Sequence, residues 1–194
     1  MSSPILSVSG SGTVQAGVRY SVQRDTRLIF DFSGQHRGDA WHSVDDVVMG
    51  GVSASQLRGT SERTAFFEGV VSLERGGGFA SVTSRPSKWD LADFDGVEIR
   101  LRGDGRRYRL RLRTGTGAAQ IGYQASFQTK DGLWQKEKLR FGAFEARYHG
   151  QPVPDAPPLD ASDITSLGLL IADRQAGPFR LEIDWIRAYA ERDS

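Results

Sequence analysis

From Leu28 onward the chain alternates apolar and polar side chains with a period of two. The segments are short and lie at 28–32, 65–73, 79–83, 97–101, 108–112, 121–127, 133–139, 167–172 and 179–189. Successive side chains on a strand point to opposite faces, so each segment predicts a strand with one face turned to a core. Turn signals stand between them: three consecutive glycines at 76–78, Asp95-Gly96, Gly103-Asp104-Gly105, Gly115-Thr116-Gly117 and Asp131-Gly132. No window of about ten residues holds the helical spacing of apolar positions, and the best helical candidate is a single turn at 160–166. Many short strands spaced by roughly 8–15 residues predict an all-β sandwich or barrel. The proline-rich run at 150–162 must be extended and unsuited to a central strand, so it predicts an ordered crossover along one edge or end.

Composition refines this picture. The 194 residues suit one domain plus an extension, with 1–26 read as a flexible N-terminal extension carrying one short strand at 18–22, 27–190 as the domain and 191–194 as a tail. The 23 glycines are then turn chemistry. Without cysteine, disulfide scaffolds, thiolate metal sites and a cysteine nucleophile are excluded. No apolar run approaches the ~20 residues of a membrane-spanning helix. Residues 1–26 have the pattern of neither a signal peptide nor an arginine-rich leader, and a cytoplasmic, bacterial setting is expected, with arginine outnumbering lysine 21 to 4. A net charge of +1 argues against nucleic-acid binding by bulk electrostatics.

That neutrality hides a segregation. Residues 97–113 carry seven arginines against Glu98 and Asp104, whereas 153–184 carry six carboxylates against Arg174 and Arg180. Alternation places Val97, Ile99, Leu101, Tyr108, Leu110 and Leu112 on one face of an expected hairpin, and Arg100, Arg102, Arg109, Arg111 and Arg113 on the other. Five guanidinium groups on adjacent strands repel unless something anionic faces them. Either an external partner or this chain's own acids, among them Asp173, Glu182 and Asp184, must do so.

A second cluster joins Trp41, Asp45, Asp46, Met49, Gly50 and Gly51. Its carboxylates suit a hard cation or ligand hydroxyls beside an aromatic platform. The competing reading puts Trp41 in the core and has the aspartates cap backbone amides in a turn. Adjacent strand residues point to opposite faces, so both carboxylates reach one site only through a bulge or turn. Catalytic patterns fail. His36, His42 and His149 are too scattered for a zinc helix, and neither a nucleophile elbow nor a phosphate loop is present. No enzyme activity, cofactor or metal is nominated.

Several ordered strings carry a resemblance: Trp41 with VDDVVMGGVS at 44–53, FEGVVSLE at 67–74, GGGFASV at 76–82, RGDG at 102–105, YQA at 123–125, PVP at 152–154, LGLLIADRQAGPF at 167–179 and LEI at 181–183. Over about 28–190 the chain resembles the complex I intermediate-associated protein 30 family. The resemblance implies a galactose-binding-like jelly-roll β-sandwich, shaped like carbohydrate-binding modules. It also implies a non-catalytic assembly factor that binds a protein client, with respiratory complex subunits or intermediates as the candidates. The alternative partner is a glycan, met by exposed aromatics among Trp41, Trp89, Trp134 and Tyr123. An RNA-binding module ranks behind both, because the side chains interleaved with the arginines face the core and leave no stacking platform.

Overall fold

The computed structural model describes residues 25–33, 37–115 and 121–191, so residues 1–24 of the N-terminal extension with the strand expected at 18–22, His36 and the last three residues lie outside the described residues. Thirteen strands form among them: β1 (Thr26–Asp31), β2 (Trp41–Ser43), β3 (Ala54–Gly59), β4 (Ala65–Val71), β5 (Ala80–Ser84), β6 (Gly96–Arg102), β7 (Arg107–Thr114), β8 (Gly122–Gln128), β9 (Trp134–Arg140), β10 (Glu145–Tyr148), β11 (Gln151–Pro152), β12 (Ile164–Ile171) and β13 (Gly177–Tyr189). They make two antiparallel sheets. The first runs β3-β4-β13-β6-β9, with β1 also paired to β13; the second runs β11-β10-β8-β7-β12-β5-β2. The fold is the all-β sandwich that the alternation predicts, in the galactose-binding-like jelly-roll form that the resemblance implies.

The core fills the space between the sheets, and the period-two rows supply it. Val97, Ile99 and Leu101 of β6 face Tyr108, Leu110 and Leu112 of β7 across the sandwich, all fully buried. Phe67, Tyr108 and Phe179 pack as a ring cluster at one end, while Phe30, Phe32 and Trp41 do so at another. Burying a large apolar side chain contributes roughly 1.5–3 kcal/mol, which is what alternation over nine segments accumulates. The turn expected at 160–166 is a short 3-10 helix, Ala161–Asp163, capped by the Asp160 carboxylate accepting from the Ser162 N–H at 2.9 Å.

One expectation is overturned. Residues 97–113 are not a hairpin: β6 pairs with β13 and β9 in the first sheet, and β7 pairs with β8 and β12 in the second. The short connection through Gly105, whose φ of 81° suits glycine, arches from one sheet to the other. Two apolar rows that would lie side by side in a hairpin instead oppose each other and seal the core. The five arginines are thereby split between the two outer faces of the molecule.

Candidate functional site

On the outer face of the first sheet Arg100, Arg102 and Arg187 each meet an acid. Arg102 donates to Glu182 through Nε at 2.9 Å, Arg100 pairs with Asp184, and Arg187 donates through Nε to Glu98 at 2.7 Å. Register dictates this, because Glu182 lies opposite Arg102 and Arg187 opposite Glu98. Arg100 and Arg102 also lie over the Trp134 ring, at 4.4 and 5.2 Å from its centroid. These three arginines are paired within their own face.

The second sheet behaves otherwise. Its outer face carries a cleft of about 580 Å³ whose floor includes Arg109, Arg111, Arg113, Gln124 and Leu170. Val44, Val48, Met49 and Phe79 form one wall, and Arg147, His149 and Gly150 contribute to the opposite side. Arg109 pairs with Asp173 and Arg147 with Glu145. Among the described residues no carboxylate reaches Arg111 or Arg113, and the Nε of Arg111 is buried without an acceptor. Burial above all, and then the like charges of Arg113 and Arg109, pull the Arg111 guanidinium down to about 10.

The 41–53 segment edges this cleft, and the structure resolves its two readings. Asp45 precedes the 3-10 turn Asp46–Met49, which sends the two carboxylates to different anchors. Asp45 accepts from the Ser55 N–H at 2.9 Å, the Ser55 hydroxyl at 2.6 Å and the Ser81 N–H at 2.8 Å. Asp46, fully buried, accepts from the Ser53 N–H and hydroxyl at 2.9 and 2.6 Å and from the Gly78 N–H at 2.7 Å. Burial pushes the Asp46 carboxyl up, but the Ser53 hydroxyl and the Gly78, Ser53 and Phe79 N–H groups outweigh it, so it lies below the ordinary 3.8. These carboxylates are anchors of a loop, with their oxygens occupied by donors. No group of three or more metal-ligating side chains exists among the described residues.

The glycines follow from the same clamp. A methyl group added at Gly51 would overlap the Asp46 carboxylate, and one at Gly77 would approach its Oδ2 to 2.6 Å. Gly50 closes the turn with a φ of 92°. The result is a rigid loop that holds its apolar side chains outward, with Val47 60%, Val48 74% and Met49 58% exposed. Trp41 is not a platform: its ring is buried 4.9 Å from Phe30. No tryptophan or tyrosine lines the cleft among the described residues.

Of the residues singled out from sequence, Met49, Arg109, Arg111 and Arg113 come together at the cleft, with Asp45, Asp46, Gly50 and Gly51 building its rim. Arg100 and Arg102 lie on the opposite face. Gln124, Arg147, His149, Phe79 and Leu170 were missed, since each stands on a strand or turn distant in sequence. The serines that clamp the aspartates left a legible signal, the Ser53-x-Ser55 alternation with Ser81.

Comparison with known proteins agrees with this architecture. The chain resembles the family 11 carbohydrate-binding module of Clostridium thermocellum, with a TM-score of 0.65 and 15% identity over 87% of this chain and 98% of that one. An agarase structure matches with a TM-score of 0.61 and 13% identity, over 88% of this chain and 25% of that one. At such identities the likeness is one of fold. Among sequence relatives, the mitochondrial Complex I intermediate-associated protein 30 of Mus musculus is 27% identical, covering 88% of this chain and 58% of its own length. A probable counterpart in Caenorhabditis elegans is 29% identical, covering 85% and 54% respectively. The chain thus spans a little over half the length of these relatives. The sequence pattern described as Complex I intermediate-associated protein 30 matches residues 30–183, and the chain belongs to that family.

Proposed function

We propose that this domain is a non-catalytic assembly factor that binds a protein client of a complex I-like respiratory complex through the rim and cleft of the second sheet. Family membership supplies the complex. The observation that carries the surface is the run Val47, Val48 and Met49, exposed on a turn that two buried carboxylates hold rigid. An apolar patch kept in water by a costly internal clamp is a docking surface, because a loop without such a role relaxes and buries it. The cleft beside it widens the footprint. Among the described residues no helix is long and apolar enough to cross a membrane.

The test is genetic and biochemical. Deletion in the native host should reduce the assembled complex on native gels, with subcomplexes accumulating. The parent chain should restore assembly, and the double variant Val47→Asp, Met49→Asp, folded by circular dichroism, should not. Normal assembly in the deletion strain would overturn the reading. Full rescue by the double variant would remove the rim from it.

A further inference from the structure

Arg111 sits at the centre of the second sheet's outer face. Its strand neighbours in register are Gln124 on β8 and Gly168 on β12. A Cβ at Gly122 would lie 3.2 Å from the Arg111 Cδ and 3.3 Å from its Cγ, and one at Gly168 would lie 3.6 Å from its Cβ. The two glycines leave a slot in which the aliphatic stem is sunk, so the guanidinium is held in one place. Its Nε is sealed off without an acceptor, and its terminal nitrogens, which have no partner among the described residues, are the donors left to the cleft.

The energetic balance of this arrangement is unfavourable on its own. A largely desolvated guanidinium between two further arginines, with no facing acid, destabilises the empty protein. Arg109 has Asp173 and Arg147 has Glu145, but Arg111 and Arg113 leave the four arginines lining the cleft in excess of those two carboxylates. The opposite sheet shows that this chain can provide an acid for an arginine when structure alone is at stake. A pinned, unpaired, partly buried guanidinium is the chemistry of oxyanion recognition, since its fork of N–H donors matches a carboxylate or phosphate.

We propose that the Arg111–Arg113 floor is a binding site for a small anion bearing at least two oxyanion groups, a diphosphate or a polycarboxylate. Arg111 and Arg113 are two residues apart on one strand, so their Cα atoms are roughly 6.6 Å apart, a span for two linked anionic groups. Gln124 offers an amide beside them, while Phe79, Val48 and Leu170 wall an apolar body. The volume of about 580 Å³ falls within the range of small-molecule sites. The anion lies on the floor, whereas the proposed protein contact is centred on the rim and only extends over the cleft, so each is tested by its own variants.

The experiment is calorimetric titration and thermal-shift measurement on the whole chain at fixed ionic strength, with pyrophosphate and citrate as probes. Saturable binding of at least one probe at millimolar concentration or below is expected. Arg111→Met and Arg113→Met should each weaken it at least tenfold, and Arg111→Lys, which keeps the charge but loses the fork, should weaken it severalfold. Lys136→Met, on the other sheet, should leave it unchanged. Val47→Ser, which strips the rim of apolar surface without adding charge and lies outside the cleft lining, should also leave it unchanged, which separates this result from the client-binding one. No saturable binding of either probe, or binding retained in folded Arg111→Met, would overturn the proposal.

Discussion

On the outer face of the first sheet, Arg102 is held by a Glu182 that is only 3% exposed, and Arg187 by an equally hidden Glu98. On the outer face of the second, Arg111 is sunk between two glycines with no acid opposite. Both faces descend from the same alternation of arginine with apolar residues in 97–113, yet Arg100 and Arg102 are paired with acids on one, while Arg111 and Arg113 are left open on the other. The difference lies in the neighbour. Strand β13 brings Glu182, Asp184 and Arg187 to β6, whereas β12 brings Ser166, Gly168 and Leu170 to β7. An arginine face becomes scaffold or site according to which strand the sandwich closure lays beside it.

The contrast can be broken most forcefully at the loop that rims the open face. Asp46→Ala removes the acceptor of four donors and strands three backbone N–H groups in a buried place, so a loss of about 4 kcal/mol in urea unfolding is expected. Gly51→Ala, which drives a methyl group into that carboxylate, should lose about 2–3 kcal/mol by the same measurement. The clamp also has a pH signature. Because the Asp46 carboxyl lies below 3.8 in the folded state and at the ordinary value when unfolded, its contribution is complete above that value and is lost as pH falls through the folded one. Thermal melts of the parent should therefore show an acid-labile step below about pH 4 that Asp46→Asn reduces.

The closed face comes next. Glu182→Gln leaves Arg102 without its countercharge, while the Thr64 hydroxyl keeps a carbonyl acceptor, and should cost about 2 kcal/mol. On the open face the sign reverses. Arg111→Met, which removes a desolvated charge beside two like charges, should leave stability unchanged or raise it by about 1 kcal/mol. Loss of stability in both variants would place the two faces in one class. Smallest of all, Val47→Asp should change unfolding by less than about 0.5 kcal/mol, since the side chain is mostly in water.

Much of the fold was legible along the chain. The rows Val97, Ile99, Leu101 and Tyr108, Leu110, Leu112 announced themselves through alternation, and the glycine and Asp-Gly pairs marked the turns between strands. The adjacency of Asp45 and Asp46 already implied that they serve different directions unless a turn intervenes. The 3-10 turn at Asp46–Met49 lets Asp45 anchor to Ser55 and Ser81 while Asp46 anchors to Ser53 and Gly78. The cleft was not legible. His149 and Arg147 arrive from β10 and its following turn, Leu170 from β12 and Phe79 from the residue before β5. Nothing local joins them.

Sequence by itself determined inside from outside, because a pleated strand has a period of two and water rejects one of its faces. It also determined where the chain turns and which family pattern it carries. Only the tertiary structure decided the company each arginine keeps. Pairing between strands is a long-range choice made by core closure, and with the inner rows of β6 and β7 facing each other, their arginines had to part to opposite sides of the molecule.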